Sequence, residues 1–231
     1  MLATVALILV VASTSSSQPC NGAAPSTTPS SQPSVPSAQS CAGGKWSQED
    51  RNIILDAHNK LRSDIARGLY TAKGRTFPPA ANMKKMQWDC DLEKRAQNYA
   101  NGCVYAHSNA LLQDIGENLY KFWSWKEVKP SDVTQGSCDY WSDEFQKFGL
   151  SSTKMSREIY LTGVGHATQM AWANSSRLGC GVAICGGSNK EAMVVCHYIV
   201  QGNTPGQSIY IEGPACSKCD SSCDRNTGLC V

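Results

Sequence analysis

Charged residues are absent from the start of this 231-residue chain, where none occurs before Lys45. In the remainder, 21 basic and 19 acidic residues nearly cancel, which gives a formal net charge of +2. No run of lysine or arginine is long enough to neutralise a stretch of phosphates, and the nearest approach to one is the pair Lys84-Lys85. The composition therefore predicts no nucleic-acid partner.

Long hydrophobic runs are also missing, apart from one short run at the start. It extends from Leu2 to Ala12, whereas a helix needs about 20 apolar residues to span a bilayer. Small residues follow it as far as Gln18. This pattern is typical of a secretory signal peptide. We therefore predict that residues 1–17 are a signal peptide and that the mature protein is secreted, extracellular and not membrane-spanning.

Two common hydrolase signatures, His-Glu-x-x-His and Gly-x-Ser-x-Gly, are missing as well. The residues that follow the four histidines are Asn59, Ser108, Ala167 and Tyr198. Ser108 is the only serine next to a histidine, and nothing in the sequence directs its hydroxyl towards a base. We predict no catalytic residue and no enzyme activity, and a hydrolase is the least favoured alternative.

Cysteine, by contrast, is abundant, with twelve in the chain. An even number in an exported protein indicates six disulfides. Residues 209–231 contain few apolar residues but four cysteines: Cys216, Cys219, Cys223 and Cys230. The C-x-x-C spacing of the first two also fits a zinc site, but a short exported segment without a core is more often held together by disulfides. We predict a cysteine-rich hinge over residues 209–231.

Residues 18–44 consist mainly of serine, threonine, proline, alanine and glycine. Such a segment buries too little apolar surface to offset the entropy cost of ordering it, so we expect a flexible arm. Its serines and threonines beside prolines suit O-glycosylation. Cys20 and Cys41 bracket this arm, and we expect them to pair with each other.

Residues 45–208 are predicted to form one globular domain of ordinary size. Ser47 and Asp50 have the spacing of a capping box, so the first helix should begin there and end near Gly68. Its buried stripe, at helical spacing, consists of Ile54, His58, Leu61 and Ile65. Because His58 belongs to that stripe, we predict that it packs in the core and binds no ligand.

Two more helical stripes and two strand-like runs follow along the domain. The second stripe consists of Leu92, Ala96, Tyr99 and Cys103, and the third consists of Trp141, Phe145 and Phe148. The strand-like runs are 178–185 and 192–200, with a turn at 186–189 between them. These patterns together predict an α+β fold in which helices flank a small antiparallel sheet.

Four short motifs resemble the signature segments of the CAP superfamily (cysteine-rich secretory proteins, antigen 5, pathogenesis-related 1). They are His58-Asn59-Lys60-Leu61-Arg62, Gly116-Glu117-Asn118-Leu119, Gly165-His166-Ala167-Thr168-Gln169, and Cys196-His197-Tyr198 with Gly202-Asn203 after it. The resemblance covers residues 45–231. It implies an α-β-α sandwich, with a disulfide-rich hinge after the domain.

The resemblance also implies an open cleft with two histidines and two glutamates, which fall on His107, Glu117, Glu144 and His166. Neutral imidazole and carboxylate suit a divalent metal, and zinc best. The same groups could act as general acid and base, or could simply form a hydrogen-bonded network. We predict a metal site with zinc as the cofactor, and assign His197 a structural role.

A disulfide pattern follows from the same resemblance. In the domain it pairs Cys103 with Cys185 and Cys180 with Cys196, which leaves Cys90 with Cys138. In the hinge it pairs Cys216 with Cys223 and Cys219 with Cys230.

Two further features concern the surface. Asn174-Ser175-Ser176 is an N-glycosylation sequon, and we predict one glycan there. A cluster of four aromatic residues exceeds what one strand face can bury: Tyr120, Phe122, Trp123 and Trp125. An aromatic loop serves sterol-binding members of the family, so these residues are candidates for lipid binding.

Within the family, the chain most resembles the activation-associated secreted proteins and venom-allergen-like proteins of parasitic nematodes. That resemblance implies a non-enzymatic effector that is secreted by a parasite and modulates host tissue or immunity. Its partner would be a host protein or a lipid. The alternative is an extracellular sterol or fatty-acid carrier.

Overall fold

The computed structural model describes residues 38–231. The predicted signal peptide, most of the predicted arm and Cys20 lie outside these residues. Within them are six α-helices: α1 (Gln48–Ala66), α2 (Cys90–Ala100), α3 (Thr134–Ser142), α4 (Glu144–Phe148), α5 (Arg157–Leu161) and α6 (Gly165–Met170). None of the described helices is long and apolar enough to cross a membrane.

The strands form one main sheet and two short hairpins. The hairpins pair β1 (Thr71–Ala72) with β2 (Arg75–Thr76) and β7 (Cys223–Asp224) with β8 (Leu229–Cys230). The main sheet consists of β3 (Gln87–Trp88), β5 (Arg177–Cys185), β6 (Glu191–Ile199) and β4 (Gly116–Trp123), in that spatial order. Strands β4, β5 and β6 are antiparallel, and the short β3 runs parallel to β5. β4 is therefore an edge strand.

Helices cover both faces of this sheet. Helix α2 packs on one face, on side chains that include Leu119, Ala183 and Val195. The approach is so close that a Cβ at Gly179 or Gly181 would lie 2.2–2.3 Å from the backbone of α2. Helices α1, α3 and α6 enclose the larger core on the opposite face. The predicted α-β-α sandwich is confirmed.

The start and end of α1 follow the predicted signals. Ser47 and Asp50 form the complete capping box, with the Asp50 amide donating to Ser47 Oγ at 3.1 Å. The helix ends at Ala66, and Gly68 follows in the left-handed region at a φ of 68°. All four members of the predicted stripe are buried, His58 among them.

The third predicted helix is wrong in one respect, because its stripe is divided between two helices. Helix α3 ends at Ser142 and α4 begins at Glu144. Trp141 and Phe145 are fully buried, whereas Phe148 is 50 % exposed. The break places Glu144 in the first turn of a new helix.

Two predicted disulfides, Cys20–Cys41 and Cys90–Cys138, are also wrong, since Cys41 is bonded to Cys90. Residues 38–44 lie against the domain: the Ala38 amide donates to Asn52 Oδ1, and the Cys41 carbonyl accepts from the buried guanidinium of Arg51. Cys41 therefore lies at the start of α2, where Cys90 is the first residue. Cys138 lies instead inside the other helical layer, only 1 % exposed, and has no disulfide partner among residues 38–231.

The other four disulfides join the pairs that the family resemblance implies. They are Cys103–Cys185, Cys180–Cys196, Cys216–Cys223 and Cys219–Cys230. The hinge is less independent than its composition suggests, because Leu229 is fully buried in the main core and Ile209 and Tyr210 are too. Asn174 lies in an exposed turn, as the glycosylation prediction requires.

Candidate functional site

The four residues predicted for the cleft form two imidazole–carboxylate pairs near the start of β4. Successive side chains of a strand point to opposite faces. Glu117 therefore lies on the α2 face of the sheet, where it meets His107 from the loop after α2. Asn118 lies on the other face, where its amide donates to the His166 carbonyl. The cleft is thus built across the edge strand, with one pair from each helical layer.

The carboxylate of Glu117 is fully occupied by hydrogen bonds. Oε1 accepts from His107 Nδ1 at 2.9 Å and from the Ser108 amide at 2.8 Å. Oε2 accepts from the Ser108 hydroxyl at 2.6 Å and from His197 Nε2 at 2.9 Å. Two oxygens with four donors have no lone pair left for another ligand. The hydroxyl of Ser108 is directed to this carboxylate and not to a histidine.

These bonds determine the charge of the first pair. Burial alone would raise the pKa of Glu117, but the donors from His107, His197 and Ser108 hold it well below its usual range. The hydrogen bond to Glu117 in turn raises the pKa of His107 above the ordinary histidine value, against the opposing effect of burial. Glu117 is therefore ionised at neutral pH.

The second pair is built on the break between α3 and α4. Oε2 of Glu144 accepts from the His166 amide at 2.8 Å and from the Ala167 amide at 3.0 Å, at the start of α6. Oε1 accepts from His166 Nδ1 at 2.5 Å. The ring of His166 lies 6.3 Å from that of Trp141, nearly parallel to it, which fixes its orientation further.

Both histidines therefore use Nδ1 to reach a carboxylate, and Nε2 of each has no hydrogen-bond partner among residues 38–231. The two pairs line one cleft of about 220 Å³, together with Asn118, Tyr160 and Asn203 among others. Within residues 38–231, no three histidine, cysteine or acidic side chains are placed to hold one metal ion between them. The groups in the cleft fit a metal bound by two imidazoles, each oriented by a carboxylate behind it.

Two other histidines lie near the site but play different parts. His58 is in the core, where Nδ1 donates to the Ile54 carbonyl and Nε2 accepts from the Tyr198 hydroxyl. His197 is buried on β6, directly opposite Glu117 in the strand register. Sequence analysis missed its bond to Glu117, which only the pairing of β4 with β6 could have indicated.

The aromatic cluster lies on β4 and in the loop after it. Tyr120 and Phe122 are partly buried on the face towards α3, with Tyr120 5.3 Å from the ring of Tyr140. Trp123 is 47 % and Trp125 80 % exposed, and their rings meet edge to face at 4.3 Å. The two tryptophans form an exposed apolar patch outside the cleft.

Comparison with known proteins gives consistent matches over most of the chain. The pattern of the Cysteine-rich secretory protein family, CAP, matches residues 55–198. Among curated relatives, "Ancylostoma secreted protein" of Ancylostoma caninum is 37 % identical over 78 % of this chain. "Scoloptoxin SSD552" of Scolopendra dehaani is 35 % identical over 78 % of it. The chain spans 43 % of the first relative and 83 % of the second.

Solved structures agree in fold. A crystal structure of NaASP2 with Zn2+ superposes with a TM-score of 0.76 at 36 % identity, covering 83 % of this chain and all of that one. The structure of BmVAL-1 gives a TM-score of 0.78 at 32 % identity, with 83 % and 98 % covered.

Proposed function

Because the chain belongs to the cysteine-rich secretory protein (CAP) family, we propose that it is a secreted, non-enzymatic effector whose cleft binds a divalent metal through His107 and His166. Its place of action is outside the cell. The role is that of a parasite secretory protein that modulates host tissue or immunity through a host protein or lipid. The names of its relatives, a secreted protein and a venom component, support this class.

The observation that carries the metal proposal is the bonding of the two imidazoles. Each histidine donates Nδ1–H to a carboxylate, which leaves the lone pair of Nε2 for a metal. Carboxylates in this position raise the basicity of a histidine ligand and fix its ring. Zinc in particular accepts imidazole nitrogen and tolerates positions filled by water or a ligand. NaASP2, a 36 % identical neighbour, has been solved with Zn2+.

Calorimetric zinc titration tests the proposal. His166→Ala should abolish zinc binding and preserve the fold, because it removes a ligand from an open cleft. His58→Ala is the matched control and should lower the melting temperature without changing zinc affinity.

Zinc affinity should also fall with acidification, by about a hundredfold per pH unit once both ligand histidines are protonated. The loss should begin above the usual histidine pKa of about 6.5, since Glu117 raises the pKa of His107. A wild-type protein that binds no zinc at neutral pH would refute the metal site.

Lipid binding is the second candidate, and the exposed pair of Trp123 and Trp125 favours it. Tryptophan joins a large apolar surface to one polar atom, which suits contact with a sterol or a lipid surface. Mass spectrometry of the natively purified protein should then detect a co-purifying lipid. Trp125→Ser should remove it, and absence of lipid from the wild type contradicts this candidate.

A further inference from the structure

A second hollow of about 320 Å³ adjoins the cleft and shares His107, Glu117, Tyr160 and Asn203 with it. Its remaining walls include Leu111, Arg157 and Pro205. With the cleft, it reaches the size range of small-molecule sites, roughly 300–1,000 Å³. Because His107 lines both hollows, a molecule in the second lies beside the imidazole that also faces the cleft.

Most polar groups in this second hollow already have partners within the protein. Glu117 has four donors, as described above. Gln169 donates to Ser175 Oγ and accepts from the Gly202 amide at 2.8 Å. Asn203 donates to the Gly165 carbonyl at 2.7 Å and accepts from the Thr168 hydroxyl at 2.6 Å. These polar groups already have hydrogen-bond partners in the protein and need none from a ligand.

Arg157 is the exception. Its guanidinium is exposed, and within residues 38–231 it has neither a hydrogen bond nor an ion pair. Arginine offers five donors in a planar fork that matches a carboxylate in two parallel bonds. This guanidinium, at the rim of the hollow, is therefore available to bind an anion.

The other walls are apolar. Leu111 and Tyr160 are each almost half exposed, although both are large hydrophobic residues. The ring of Tyr160 lies over the start of α6, where a Cβ on Gly165 would come within 3.0 Å of it. A side chain longer than hydrogen at residue 165 would displace this ring. The hollow therefore presents an apolar surface beside a guanidinium that has no partner among residues 38–231.

We propose that the second hollow and the metal on His107 and His166 together form one binding site for a small carboxylate with an apolar body. This rests on the proposed metal function. Two imidazoles leave two of zinc's four positions open, and a carboxylate can fill one of them. Arg157 binds the same anionic head, and Leu111, Tyr160 and Pro205 contact the apolar body. Metal and carboxylate then bind cooperatively, and each strengthens the other by the same factor.

Calorimetric titration with 4-phenylbutyrate, with and without zinc, tests the proposal. Zinc should tighten binding of the carboxylate about tenfold or more, and 4-phenylbutyrate should tighten zinc binding equally. The uncharged 4-phenylbutyramide should not bind. Arg157→Gln should weaken 4-phenylbutyrate binding about tenfold while zinc affinity in its absence stays unchanged. Arg225→Gln, which changes an exposed arginine in the turn between β7 and β8, is the matched control and should behave as wild type.

The two proposals fail in different ways. If the wild type binds no zinc, both are wrong. If zinc binds normally but 4-phenylbutyrate does not, only the carboxylate site is refuted. The same holds if 4-phenylbutyrate binds equally well with and without zinc and 4-phenylbutyramide binds as tightly. Loss of zinc binding in Arg157→Gln would also contradict it, because Arg157 is assigned to the anion and not to the metal. Leu111→Ser provides a second variant, which should weaken the binding of 4-phenylbutyrate and leave the binding of acetate unchanged.

Discussion

The buried polar residues of α1 connect the core to the cleft. His58 accepts a hydrogen bond from the Tyr198 hydroxyl at 2.9 Å, and that hydroxyl accepts in turn from the Asn118 amide at 3.2 Å. Asn118 also donates to the His166 carbonyl. A chain of hydrogen bonds thus runs from α1 through two strands to the backbone of a proposed metal ligand. His58, the histidine of the motif His58-Asn59-Lys60-Leu61-Arg62, is therefore part of this series of hydrogen bonds and does not bind a ligand.

Arg62, from the same motif, is fully buried without a carboxylate partner. Its guanidinium donates to five backbone carbonyls, those of Lys84, Met170, Trp172, Ala173 and Ser175. Burial lowers its pKa to about 9, so it remains charged at neutral pH. The arginine therefore fixes the chain that leaves α6, and with it the helix that carries His166.

His58 gives the protein a defined acid sensitivity. Burial lowers its pKa to about 4, whereas the unfolded chain protonates it near 6.5. A depressed pKa of this kind means that the stabilisation is complete above pH 6.5 and is lost as the pH falls to 4. We expect the free energy of unfolding to decrease by about 3 kcal/mol over that window. Denaturant titrations at several pH values measure it.

The matched variant for this prediction is His58→Gln, which keeps a polar side chain but has no proton to titrate. Its free energy of unfolding should be nearly flat between pH 6.5 and 4.5. Below about 4.5 both proteins should lose stability progressively, since Glu117 has a lowered pKa and its stabilisation is complete only above the unfolded glutamate value. Equal slopes for both proteins between pH 4.5 and 6.5 would contradict the role of His58.

Local signals in the sequence predicted some elements well and others poorly. The capping box of Ser47 and Gly68, two residues after Ala66, act within one turn of the chain, so α1 was predictable at both ends. The break between α3 and α4 has no comparable local signal. There Glu144 is drawn to the amides of His166 and Ala167, more than 20 residues away in sequence. Tertiary hydrogen bonds decided that helix boundary.

The Cys41–Cys90 disulfide should contribute strongly to the stability of the protein. It joins the segment before α1 to the first residue of α2, beside the buried ion pair of Arg51 and Glu93. The bridge closes a 49-residue separation, for which the chain-entropy model gives about 4 kcal/mol. Replacing both cysteines by serine should lower the free energy of unfolding by up to that amount, while α1 and α2 stay joined by the ion pair.

Peptide mapping without reduction checks the connection itself. A Cys41 peptide linked to a Cys90 peptide is the expected product. A Cys41 peptide linked to Cys20 would restore the pairing within the arm and contradict the bridge. The wild-type protein, digested under the same conditions after reduction, is the control for peptide assignment.

At the scale of the whole molecule, the layered fold and its family were predictable, because the motifs and the hydrophobic periodicity can be read from short stretches of sequence. The site was predictable as a set of four residues but not as a chemical unit. The carboxylate of Glu117 has no lone pair left for a metal partly because it accepts from His197, which reaches it only through the register of β4 and β6. The sequence contains both residues without indicating that they meet.

The surface around the hinge allows one prediction for the intact protein. Asn174 lies in an exposed turn, and Ser176 provides the hydroxyl of the sequon. Digestion with an N-glycosidase should lower the mass by one glycan, and Asn174→Gln should remove the shift. Ser175→Ala is an unsuitable control, because that buried hydroxyl bonds to Gln169 and Val200. No mass change in protein from a glycosylating host would contradict the prediction.

The thiol of Cys138 makes the folded state chemically observable. It lies on the buried face of α3, and burial raises its pKa to about 12, so almost none of it is present as the reactive thiolate. An alkylating reagent can therefore modify Cys138 only in molecules that have opened this layer. The rate at which the Cys138 peptide gains the mass of the reagent therefore measures how often this layer opens, and no engineered label is needed.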